Sequence, residues 1–198
     1  MKPLIVFLGL LFTSTLAFSQ SSLLGRNIFS EGSFDIFGES RLLPIGWNLP
    51  DKHDRPWQAG FRAEIVRGES GTRELRIVSP DSTGFTGANA RLTLPENIER
   101  LRVSYRILAK NIEIGEENPG GNGAGVFLRF LDESGKPLPA LGWVAGMIVA
   151  TNTEWSEREQ IYSVPAAAKE LTIEVIFRNA TGEIRVDDIE VVPVSMSE

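Results

Sequence analysis

The sequence predicts an all-β fold, a two-sheet antiparallel β-sandwich, on three observations. Apolar residues recur with period two in short segments, those segments are separated by clusters of Gly, Pro, Asn and Asp, and no long amphipathic helix is present. Alternation of this kind turns one face of each strand toward a core and the other toward water, and stacking two sheets buries the apolar faces together. The net charge is −6 and no basic block occurs, which excludes a phosphate-neutralising surface for nucleic acid. With no Cys, the chain has neither disulfides nor thiol chemistry nor a cysteine for lipid attachment.

Residues 1–19 have the form of a secretory signal peptide. Lys2 precedes the apolar run Leu4 to Phe12, and small and polar residues lead to Ala17-Phe18-Ser19, so cleavage is expected before Gln20. The run is short for a retained anchor, and the later stretch Leu141 to Ala150 is broken by Gly142 and Gly146, so no transmembrane segment is expected after cleavage. The mature protein is expected to be secreted, periplasmic or at the cell surface. Residues 20–198 are of a size that supports a single domain with a substantial core.

Strands are predicted at Phe61 to Val66, Glu74 to Val78, Ala90 to Leu94, Leu101 to Ile107, Val126 to Asp132, Gln160 to Val164, Leu171 to Arg178 and Glu183 to Val192. In the clearest of them Leu101, Val103, Tyr105 and Ile107 share one face, and Arg100, Arg102, Ser104 and Arg106 the other. Pro95 to Glu99 and Pro165 to Glu170 read as connections of at most one helical turn. Asn48 to Pro56 and the Gly-rich Asn111 to Gly125 read as loops that can flank a site.

Two acidic signatures lie at opposite ends of the mature chain, Glu31-Gly32-Ser33-Phe34-Asp35 and Val186-Asp187-Asp188-Ile189. In the second, Ile184 and Val186 have one parity and Ile189 and Val191 the other, so a β-bulge is predicted at Asp187-Asp188. With Ile184 and Val186 inward, Asp188 starts in the inward phase. A carboxylate among apolar side chains needs a partner or a metal, and one calcium ion (Ca2+) clipping the first strand to the last would serve both sites. The other reading is an edge strand with two solvated aspartates.

The order Asn27-Ile28-x-x-x-Gly32-Ser33-Phe34-Asp35, Pro44-Ile45-Gly46-Trp47, Glu74-Leu75-Arg76-Ile77 and Val126 to Asp132 followed by Gly135 resembles that of CenC-type carbohydrate-binding modules. Thr153-Glu154-Trp155, Val164-Pro165 and Val186-Asp187-Asp188-Ile189 continue the resemblance over nearly all of the mature chain. It implies a galactose-binding-domain-like jelly roll in which the terminal strands meet. It also implies a structural calcium held by the side chains of Asp35, Glu69 and Asp188 and by carbonyls near Ser33 and Thr72. Asp35 stands where that family usually has Glu, one methylene longer. Trp47 and Trp155 coincide with framework positions and are expected in the core.

Sugars are bound by aromatic faces and by polar side chains that bond hydroxyls. Phe127 and Arg129 have the parity opposite to the core residues Leu128 and Phe130, and Glu174 and Arg178 are turned outward by the same logic, so these four form a candidate ligand face. Phe85, Trp57 and Trp143 lie in turn, loop or strand-edge contexts and complete the candidate set, although a packed structural role suits either Trp as well. The bland reading of the face is an ordinary solvated sheet.

Catalysis has little support. One His, His53, cannot by itself make a triad, adjacent carboxylates such as Glu116-Glu117 do not span a glycosidic bond, and a zinc site lacks ligands. The expected function is therefore non-catalytic binding of a polysaccharide or oligosaccharide. The rivals are an envelope structural or interaction protein with the same fold and no sugar groove, and a small glycoside-active hydrolase.

Overall fold

A computed structural model describes residues 23–34, 46–48, 61–68, 71–82, 85–115, 123–138, 144–145, 151–152 and 154–195. Among the described residues ten strands are formed: β1 (Trp47–Asn48), β2 (Arg62–Arg67), β3 (Arg73–Ser79), β4 (Phe85–Thr93), β5 (Arg100–Ile114), β6 (Gly123–Leu131), β7 (Val144–Ala145), β8 (Ser156–Ser163), β9 (Glu170–Arg178) and β10 (Ala180–Pro193). They make two five-stranded antiparallel sheets, in the orders β1-β4-β9-β6-β7 and β2-β3-β10-β5-β8. The all-β two-sheet expectation holds, and all eight predicted strands are present. Two short strands, β1 and β7, were not legible. Nor was the length of β5, which runs into the predicted Gly-rich loop as far as Ile114.

The core is what the alternation dictates. Ala88 and Ala90 of β4, Ala124, Val126, Leu128 and Phe130 of β6, and Leu171, Ile173, Val175 and Phe177 of β9 face the other sheet. That sheet answers with Leu75 and Ile77, Leu101 to Ala109 at alternate positions, and Ile184, Val186, Ile189 and Val191. Burying a large side chain of this kind contributes about 1.5–3 kcal/mol, so the inward parity of each strand decides its register. One end of the core is closed by an aromatic cluster, in which the Trp47 ring lies 6.2 Å from Phe29 and 5.3 Å from Phe34. Trp47 Nε1 donates to Glu31 O at 3.2 Å, which satisfies its one polar atom. Trp47 is thus the core residue expected of it.

The last strand, β10, is central in its sheet. Its register with β5 slips between Asp187 and Glu190, and Asp188 adopts a left-handed φ of 52°, so the bulge lies where the parity predicted it. The β3 pairing stops at Val186. Beyond it the N-terminal segment takes over: Ile28 N donates to Val191 O at 2.8 Å, Gly25 N donates to Pro193 O at 3.0 Å, and Asn27 Oδ1 accepts from Val191 N at 3.0 Å. The 3-10 turn Ser30–Ser33 follows, so close to β10 that a Cβ on Gly32 would lie 1.8 Å from the carbonyl oxygen of Ile189. The two ends of the described chain are therefore neighbours. Among the described residues no helix is long and apolar enough to cross a membrane.

Candidate functional site

The face of the β1-β4-β9-β6-β7 sheet that points away from the core carries the polar residues of those strands. Strand register sets them in rows. One row crosses the whole sheet: Asn48 opposite Asn89, Asn89 opposite Glu174, Glu174 opposite Phe127, Phe127 opposite Ala145. The next holds Arg91, Thr172 and Arg129, and on the other side lie Gly87, Ile176 and Gly125. Ile176 fills the space beside Gly87, where an added Cβ would lie 2.5 Å from Ile176 Cγ2. Beyond them Arg178 stands opposite Phe85 and Gly123.

Arg129 Nη2 donates to Glu174 Oε2 at 3.1 Å, diagonally between the two rows. The Glu174 side chain is 10% exposed, and burial pushes its carboxyl above the usual range while the Arg129 charge pulls the other way. Arg91 pairs with Glu170 at 3.6 Å at the open margin of the sheet. The face thus carries amide, carboxylate and guanidinium groups, a set able both to donate to and accept from hydroxyls.

The structure brings Phe127, Arg129, Glu174 and Arg178 onto one face, as their parity predicts. It corrects the expected exposure of Phe127, which faces away from the core yet is only 3% exposed, because β6 is buried on both faces through most of its length. Phe85 opens β4 at the register position of Arg178. Trp57 and Trp143 lie outside the described residues. Asn48, Asn89, Arg91 and Thr172 escaped the sequence reading. The signal was present in β4, where Gly87, Asn89 and Arg91 alternate with Ala88, Ala90 and Leu92, but alanines make a weak apolar stripe, so the predicted strand begins only at Ala90.

The expected calcium donors fare differently. Asp35 and Glu69 lie outside the described residues. Ser33 ends the 3-10 turn beside β10, and the Thr72 carbonyl accepts from Gly68 N at 2.8 Å in the turn between β2 and β3. Asp188 does not point inward: its side chain is 55% exposed, and the buried aspartate is Asp187, 1% exposed on the outer face of the sheet opposite Arg106. The reason is the left-handed residue, which takes up the extra length on the solvent side. Nor is this an edge strand with solvated aspartates, since β10 lies between β3 and β5. Trp155 is half-buried and stacks on Arg106, whose Cζ lies 5.0 Å from the ring centroid, instead of entering the core.

No family model matches the chain, and no curated protein does. Solved structures match in fold. A tailspike protein 4 enzymatically active domain of bacteriophage CBA120 superposes with a TM-score of 0.61 at 11% identity, over 85% of this chain and 21% of that one. A CBM22-1-CBM22-2 tandem domain of Xyn10C from Paenibacillus barcinonensis gives 0.56 at 13% identity, over 89% of this chain and 47% of the other. A sugar-binding-protein candidate from Bacteroides thetaiotaomicron gives 0.54 at 9% identity, over 85% of this chain and 100% of the other. This chain therefore spans about a fifth of the tailspike domain and under half of the tandem. At these identities the likeness is one of fold alone, an antiparallel β-sandwich of two packed sheets.

Proposed function

We propose that the protein is a secreted, non-catalytic module that binds a polysaccharide or oligosaccharide across the outer face of the β1-β4-β9-β6-β7 sheet. The observation that carries this reading is the cross-strand row Asn48, Asn89, Glu174 and Phe127, with Arg129 pinning Glu174. A glycan chain laid along such a row meets hydroxyl partners on successive strands, and the sheet holds them at fixed spacing before the ligand arrives. Arg178 and Phe85, opposite each other in the register of β9 and β4, belong to the proposed ligand set, and Trp57 and Trp143 are proposed with them. The fold of sugar-binding modules supports the same reading, and the signal-like residues 1–19 support export.

A second reading has one observation in its favour. Phe127 and Ile176 are shielded from solvent, which suits an envelope structural protein that keeps the sheet and has lost the groove. Affinity electrophoresis of the mature protein through gels containing plant, algal or bacterial polysaccharides separates the two. Retardation that Glu174→Gln weakens supports binding at this face, and free migration in every gel supports the structural reading.

A further inference from the structure

On the outer face of the second sheet, Arg106 of β5 stands opposite Asp187 of β10. Its Nη2 donates to Asp187 Oδ2 at 3.0 Å, and its Nε lies 2.9 Å from Asp188 Oδ2, an ion pair whose angle falls short of a hydrogen bond. The Trp155 ring covers the guanidinium from the side of β8, at 5.0 Å. Thr72 Oγ1 donates to the same Asp187 oxygen at 3.3 Å, and Asp187 Oδ1 accepts from the Asp188 N–H at 2.9 Å. Every oxygen of the buried carboxylate is thereby engaged, and the one exposed carboxylate beside it faces the same cation.

This arrangement does not fit the calcium that the resemblance implies. An ion bound by Asp187 or Asp188 would face a guanidinium within 3 Å of those same oxygens, and like charges at such distances repel strongly. Among the described residues no three acidic or His side chains gather as metal ligands. The second buried carboxylate nearby, Glu74, forms an ion pair with Arg185 at 3.5 Å that leaves its Oε2 without a hydrogen bond, and it lies under the Gly68 backbone, where a Cβ would meet its Oε1 at 1.7 Å.

We propose that Arg106 is the resident cation of the last strand, held between Trp155 and the Asp187-Asp188 bulge, and that it takes the place of a divalent ion at the junction of the chain termini. A planar guanidinium suits the task, since it pairs with two carboxylates in one plane and stacks on an aromatic face. The bulge then has a purpose. It turns two successive carboxylates toward one side chain of the neighbouring strand.

The test is thermal melting of the full mature protein in EDTA and in millimolar calcium, together with Arg106→Gln and the double variant Arg106→Gln/Asp187→Asn. The wild-type midpoint should be the same in both buffers. Arg106→Gln should melt several degrees lower because it leaves a buried charge unpaired, and the double variant should recover part of that loss. If Arg106→Gln does not fold at all, folding of the double variant carries the same meaning. A wild-type midpoint that falls in EDTA and returns with calcium overturns the proposal, as does a double variant no more stable than Arg106→Gln.

Discussion

Arg129 and Glu174 meet diagonally across two strands, 3.1 Å apart, on a sheet face whose other members are amides, an aromatic ring and two further arginines. The pair is unequal, with side-chain exposures of 34% and 10%, so the carboxylate is fixed and the guanidinium reaches it from the more open side. A carboxylate so placed serves the face as a rigid hydrogen-bond acceptor. That relationship leads to the first prediction.

Glu174→Gln should weaken polysaccharide binding about tenfold or more while leaving the melting midpoint within a few degrees of wild type. Losing a charged hydrogen-bond partner costs about 1.5–3 kcal/mol of binding. In the fold, the same change removes a carboxylate that burial disfavours, and Arg129 retains access to water. Affinity electrophoresis read beside a thermal melt separates the two effects. Parallel loss of binding and stability would mean that Glu174 is structural only.

Gly32 should be intolerant of any side chain. The nearest atom to an added Cβ is a backbone oxygen of Ile189, 1.8 Å away, which no rotamer change can relieve. Gly32→Ala is expected to cost at least about 1–3 kcal/mol, read from denaturant midpoints, by lifting the N-terminal segment off β10. Gly71→Ala is the comparison: its φ of 84° strains an Ala, but nothing lies within 4 Å of the added methyl, so its cost should be smaller, about 1 kcal/mol.

Alkali should unfold the protein through Tyr105. Burial, with a smaller contribution from Tyr162, pushes its hydroxyl up to about 12. The folded protein thus holds this proton where the unfolded chain, near 10, releases it. The resulting stability is intact below pH of about 10 and is lost as pH rises toward 12. Tyr105→Phe should flatten that decline in pH-dependent melts, with the residual slope due in part to Tyr162, which burial also raises.

Export is checked by intact mass. The protein recovered outside the cytoplasm should begin at or near Gln20, and a species retaining residues 1–19 would contradict the signal-peptide reading.

Much of this architecture was legible because two-sided strands announce themselves. Leu101 to Ile107 alternates cleanly, and β5 lies where that pattern places it. The bulge at Asp187-Asp188 was visible as a one-residue slip in parity, yet the slip alone did not say which aspartate would be buried. That depended on Asp188 taking the left-handed conformation, and on β10 being central, a property of strand order. Trp155 was misplaced for a related reason. A large aromatic is expected in the core by its hydrophobic area, but here its ring covers Arg106, a contact between β5 and the start of β8 that period-two reading does not register. On the candidate face, parity found Phe127, Arg129, Glu174 and Arg178. It missed Asn48 and Asn89 because one sits on a two-residue strand and the other beside alanines.

The most direct measurement is a glycan array or affinity-gel series probed with the mature wild-type protein and with Glu174→Gln and Asn89→Ala. Retention of wild type by at least one polysaccharide, weakened in both variants while their melts stay close to wild type, is the predicted result. Retention of wild type that both well-folded variants match would contradict a binding face on this sheet, and no retention by any glycan would contradict sugar binding itself.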